Sequence, residues 1–223
     1  MRQLKLNGTQ ITDAGMAHLA GLEELEELNL SFTRITSASL QQLKSLTRLR
    51  QLSFNGTPIT LTDISRLFVQ QQGRPLTDAL LAMGLAVADD EGNLIAVNVA
   101  GTSFGDEQLK QLQSAETLKE LQIAATQVTD AGMEEVTRFS SLQRLFLAKC
   151  DVGDSAMQHV SRLKKLESLN IYGTKITSAA LAHLARLEKL RILYITDIKL
   201  EAAAVDRLKQ KLPQLTVTDY TPV

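Results

Sequence analysis

Cysteine occurs once among the 223 residues, which excludes an internal disulfide framework. The chain has no Cys/His cluster with metal-ligand spacing, and the P-loop, H-E-x-x-H, G-x-G-x-x-G and nucleophile-elbow motifs are all missing. Net charge is nearly absent too: the formal value is −1, so bulk electrostatics draws neither nucleic acid nor an anionic membrane. Long apolar runs are lacking. The longest, Leu80 to Ala88, is far short of the ~18 residues of a spanning helix, so no membrane insertion is expected. No signal peptide is recognisable, and Met1 runs straight into patterned sequence, so whether the chain is cut from a longer protein stays open. The compartment stays open, with the cytoplasm slightly favoured. Aromatic residues are few, six Phe and three Tyr.

What is present is a repeat. Leu121, Leu145, Leu169 and Leu193 are each 24 residues apart, as are Leu4, Leu28 and Leu52. The segments LEELNLSFTRITSASL (25–40), LKELQIAATQVTDAGM (118–133) and LESLNIYGTKITSAAL (166–181) share the frame L-x-x-L-x-L-x-x-T-x-I-T. Alternating L-x-L is the period of a half-buried strand. Thr12, Thr36, Thr60, Thr129 and Thr177 stand where a helix would begin, and threonine is a good N-cap. Pairs such as Leu40/Leu43 and Leu181/Leu184, three apart, share one helical face. Each unit is therefore a strand, a turn and a short helix. One unit cannot bury its apolar side alone, but stacked units can, and their strands then form a parallel sheet.

A second phase carries Thr9, Thr33, Thr57, Thr102, Thr126, Cys150 and Thr174. A buried hydroxyl or thiol there can bond backbone groups that the turn leaves unpaired. The chain thus resembles leucine-rich repeat proteins, whose pattern L-x-x-L-x-L-x-x-N/C places Asn or Cys at that phase. GTQITDAGM (8–16) and ATQVTDAGM (125–133) look like the short bacterial, planctomycete-like type. The resemblance implies an α/β right-handed solenoid with a concave parallel sheet and convex short helices. It implies protein recognition in general and no particular activity.

The rhythm breaks once. Leu52 to Val97 spans 45 residues rather than 48, and QQQGRP (70–75) replaces the expected helix leucine at Gln70. Residues 75–83 read as a helix. The apolar runs around Asp89-Asp90-Glu91-Gly92-Asn93 read as a hairpin with Gly92 or Asn93 at positive φ. Such a helix and hairpin looks like the N-terminal cap of a repeat array. The expected organisation is a three-unit block at 1–72, a cap-like interruption at 73–93, and five units with a C-terminal ending at 94–223. A sheet continuous through the interruption is the favoured arrangement.

No catalytic, metal-binding or cofactor-binding residues are assigned. His159 and His183 share a helix phase with Glu135 and Arg207, and His18 holds it in the first block; this reads as a solvated helix face. Cys150 occupies the buried ladder phase, where a thiol is inert. The NGT acceptors at Asn7 and Asn55 are discounted, because turn and ladder already account for their residues. Function is expected on the strand residues that point away from the core. In the first block these include Gln3, Lys5, Glu27, Asn29, Gln51 and Ser53, none aromatic. In the second they include Arg144, Phe146, Tyr172, Ile192 and Tyr194, residue types enriched at interfaces. The expected function is non-enzymatic binding of a protein partner there. Two other readings stay open: an architectural segment of a larger repeat protein, and, remotely, an enzyme using the convex histidines.

Overall fold

The computed structural model describes residues 1–112 and 115–218. They divide into two compact units, one of Met1–Val87 with residues 111–112 and one of the other described residues from Ala88 onward. In the first, β1 (Gln3–Lys5), β2 (Glu27–Asn29) and β3 (Gln51–Ser53) form a parallel sheet. Leu4 stands opposite Leu28, and Leu28 opposite Leu52. The chain returns through α1 (Asp13–Met16), a 3-10 stretch (Ser37–Leu43) and α2 (Leu61–Ser65).

The missing leucine at Gln70 coincides with a widening of the helix. Beyond α2 the chain takes a π-helical turn, Arg66–Gln71, that buries Leu67 and Phe68 completely. The loop-like stretch after it is pinned. The Gln72 amide donates to the Leu43 carbonyl (3.1 Å), and Arg74 donates to the Leu49 carbonyl (3.0 Å) and to Asp78 (3.0 Å). These side chains tie the stretch to backbone carbonyls of the preceding coil. The Arg74 guanidinium also stacks on Phe68, 4.5 Å from the ring centre. The helix expected at 75–83 is α3 (Leu76–Ala82).

The remaining strands are β4 (Ala86–Ala88), β5 (Leu94–Asn98), β6 (Glu120–Gln122), β7 (Arg144–Phe146), β8 (Ser168–Asn170), β9 (Ile192–Tyr194) and β10 (Thr216–Thr218). Their sheet has the order β10-β9-β8-β7-β6-β5-β4. From β5 to β10 every pairing is parallel, and Val97, Leu121, Leu145, Leu169, Leu193 and Val217 form one register. β4 reverses into β5 through the acidic turn. There Gly92 has φ +85°, and the Asp89 carboxylate accepts the amides of Glu91 (3.1 Å) and Asn93 (2.8 Å). The helical side carries α4 (Asp106–Gln111), α5 (Met133–Val136), α6 (Asp154–Val160), α7 (Leu181–Leu184) and α8 (Ala202–Lys211). β3 and β4 lie in different sheets, so the described strands do not form the single continuous sheet favoured from sequence.

Two side-chain ladders run along the coils, one closing turns within each coil and one joining neighbouring coils. At the threonine phase, the hydroxyls of Thr33, Thr57, Thr102, Thr126 and Thr174 each donate to the carbonyl three residues back, at 2.6–2.7 Å. Cys150 departs from this rule. Its thiol reaches the Ile123 carbonyl of the preceding coil (2.8 Å), which Thr126 also uses. The second ladder is acidic. Asp13 accepts both the amide and the hydroxyl of Thr36, each at 2.7 Å. Asp106 does the same for Thr129 and Asp154 for Thr177, while Asp130 accepts the Gly153 amide and the Ser155 hydroxyl. The Thr36, Thr129 and Thr177 oxygens in turn accept an amide two residues on, so one carboxylate orients the N-cap of the next coil. Ser37 stands where the carboxylate for Thr60 would be, and Thr60 instead forms a capping box with its own Asp63.

After every strand leucine pair the chain passes through a left-handed residue. Gly8, Phe32, Gly56, Gly101, Ala125, Lys149, Gly173 and Asp197 share this phase, with φ between +52° and +72°. Side chains with a Cβ pay a steric penalty there. Gly101 has no atom within 4 Å of where a Cβ would stand, so the cost of Gly101→Ala comes from the backbone alone. We expect a loss of about 1 kcal/mol, and a gain of the same order for Ala125→Gly. Chemical denaturation of the two variants checks both signs.

Candidate functional site

The solvent-facing side of the second sheet is organised in columns, one residue per strand. Register places Phe146 beside Asn170 and Asn170 beside Tyr194, so the two rings share a column and lie two strand spacings apart, about 10 Å. Arg144, Ser168 and Ile192 form the adjoining column. Tyr172 is not on the strand between the rings, as the sequence pattern had it. β8 ends at Asn170, and Tyr172 lies in the turn beyond it. The reason is the left-handed Gly173, which follows at once and makes residue 170 the last outward position of the strand. Asn170 is 1% exposed despite its outward phase, and its Oδ1 accepts the Tyr172 amide (2.9 Å). Asn29 and Asn98 make the same bond two residues on, so this asparagine phase closes the strand rather than facing a partner.

The structure does bring the five residues assigned from sequence to one region. Phe146, Ile192 and Tyr194 are half-buried, Tyr172 is half-buried in the turn, and Arg144 is exposed. Arg144 is not a bare cation. Its Nε donates to Glu120 at 2.7 Å, and its Nη2 donates to the same oxygen. Burial alone would raise the Glu120 carboxyl pKa. Bonds from Gln122 and Arg144, with the guanidinium charge, outweigh it and hold the carboxyl below its ordinary value. Lys149 extends the patch, with its ammonium 5.3 Å from the centre of the Tyr172 ring. The patch is therefore aromatic and aliphatic, edged by one neutralised arginine and one lysine.

Sequence reasoning missed Phe32, 69% exposed in the first unit. A Cβ on Gly56 would come within 2.8 Å of its ring, so the ring lies directly over that glycine. Its signal was legible: it fills a phase that is glycine in four other coils. The histidine column offers little chemistry. His159 and His183 are half-buried, and Glu135 is engaged by Arg138 at 3.0 Å. Among the described residues no group of three or more His, Cys, Asp or Glu could hold a metal. Cys150 is 3% exposed and burial pushes its thiol pKa up, which disfavours the reactive thiolate. No helix of the described residues is long and apolar enough to cross a membrane.

No protein-family model matches the chain, and no curated protein matches its sequence. Solved structures do match. A leucine-rich repeat protein of Leptospira interrogans superposes with a TM-score of 0.58 at 17% identity, over 97% of this chain and 60% of its own. The chain has the leucine-rich repeat fold. A structure of the octameric complex of Latrophilin 3, Unc5D and the leucine-rich repeats of FLRT2 superposes at 0.55 and 14% identity, over 99% of this chain and 84% of the other. The plant peptide hormone receptor RGFR1, in complex with RGF2, superposes at 0.50 and 15% identity, over 99% and 36%. At these identities the likeness concerns the repeat fold. The chain spans less than two thirds of the Leptospira protein.

Proposed function

We propose that this chain is a non-enzymatic binding module that holds a protein partner on the open sheet face of its second part, through Arg144, Phe146, Tyr172, Ile192 and Tyr194. Within it we assign 1–72 and 94–223 as repeat blocks and 73–93 as a cap-like insertion. The observation that carries the reading is that Phe146 and Tyr194 stand in one column of the sheet face, with Arg144 and Ile192 in the adjoining one. Half-buried aromatic rings beside an arginine are the composition of interface hot spots. Two of the structures sharing the fold are complexes with protein or peptide partners. The test is affinity capture from native lysate with the wild type and the Phe146→Ser/Tyr194→Ser variant. Partners held by this face should drop at least tenfold while the far-UV spectrum stays unchanged. Undiminished recovery of every wild-type partner by the folded variant would sink the assignment.

A further inference from the structure

The helical side of the second unit holds a groove of about 610 Å³ between the segment 178–185 and α8. One wall carries Ala179, Ala182 and Ala185, and the other carries Ala204 and Leu208. The alanine wall differs from the coil before it, although Ala14, Ala17 and Ala20 fill the same three phases in the first unit. One coil earlier the same three positions are Ser155 and Gln158, both exposed, and Ser161, buried with its hydroxyl donating to the Gln158 carbonyl (2.7 Å). In the groove the polar set has become apolar and small, and the space it vacates is open to solvent. The charges that line the groove are both basic. Arg207 and Lys211, four residues apart on α8, point one turn's spacing along its edge. Both are exposed, and neither forms an ion pair among the described residues. Asp206 is exposed on the same helix but does not line the groove.

We infer that this groove is a second docking site, distinct from the sheet face, and that it takes an acidic amphipathic helix of a partner protein. Three physical points select that occupant. An extended segment would turn unpaired backbone groups toward alanine and leucine side chains, whereas a helix satisfies its own. Alanines spaced three apart let a helix approach closely, since interaxial distance follows the side chains at the contact. The groove runs beside a helix of 10 residues, about 15 Å, which is room for about three turns. The two unpaired cations then select carboxylates at i and i+4 on the incoming helix. They should speed association in a salt-dependent way.

The experiment uses the full chain and two labelled 14-residue helical peptides. Each has a Leu/Ala face; one is flanked by Glu and the other by Lys. Fluorescence anisotropy should show binding of the Glu peptide that weakens as salt rises, and at least tenfold weaker binding of the Lys peptide. Arg207→Glu/Lys211→Glu should lose tenfold or more. Ala182→Trp, which fills the groove from an exposed position, should lose binding while unfolding at the wild-type temperature. Phe146→Ser/Tyr194→Ser should bind the Glu peptide as the wild type does, which separates this site from the sheet face. The inference is overturned by equal binding of the two peptides or by failure of the wild type to bind the Glu peptide. It is equally overturned by full binding in the charge-reversed variant, or by loss of binding in the sheet-face variant. Sedimentation with phosphatidylglycerol vesicles, blocked by Ala182→Trp, in place of peptide binding would assign the groove to a membrane and overturn it too.

Discussion

Leu169→Ala should destabilise the fold by about 2–5 kcal/mol, seen as a marked shift of the denaturation midpoint. Leu169 is fully buried and stands in register between Leu145 and Leu193, so truncation opens a cavity against both neighbouring coils. The surrounding leucines belong to rigidly paired strands and cannot collapse into the gap. Leu145→Ala should behave alike, because Leu145 is equally buried. The contrast lies one residue away. Phe146 and Tyr194 alternate with these leucines and are only half-buried, so their double replacement by Ser should cost less, about 1–2 kcal/mol. A double variant that melts as early as Leu169→Ala would mean the rings are core, and the proposed interface would fall with that result.

The second large effect is expected at the acidic ladder. Asp106→Ala removes the acceptor of both the amide and the hydroxyl of Thr129, and should cost about 1–2 kcal/mol by chemical denaturation. No change would mean that water replaces the carboxylate without loss. The equivalent group in the first unit adds a pH signature. The Thr36 amide and hydroxyl hold the Asp13 carboxyl below its ordinary value, against a smaller opposing effect of burial. A carboxyl with a depressed folded-state pKa stabilises the fold when ionised. That contribution is present above the ordinary Asp pKa of about 3.9 and is lost as pH falls through the lower folded value. Wild type and Asp13→Ala should therefore differ most near neutrality and converge below about pH 4. A gap that widens on acidification would contradict the hydrogen-bond arrangement.

Much of this was legible because it is periodic. The leucine phase fixes which strand residues face the core, and the structure places Leu121, Leu145, Leu169 and Leu193 in one register. The threonine phase predicted a buried hydroxyl bonding the turn, and the bonds are there. The Asp of ITDAG and VTDAG was visible, yet its partner was not. That partner lies 23 residues on, in the next coil, and only stacking brings the two together. The Glu120–Arg144 pair lies 24 residues apart, and only the register of neighbouring strands brings it together.

The sequence by itself determined the unit: strand, left-handed turn, N-cap and short helix, repeated until the apolar faces cover one another. Local propensity and period carry that information, because each unit imposes the same steric and hydrogen-bonding demands on the same phases. Only the tertiary structure decided where units cease to be equivalent. It buried Asn170 between two rings, moved Tyr172 off the strand, wound residues 66–71 into a π turn, and left a groove beside α8. The physical reason is common to all four. Burial and empty space depend on the volumes of side chains from several coils at once, and no period along a single chain encodes that sum.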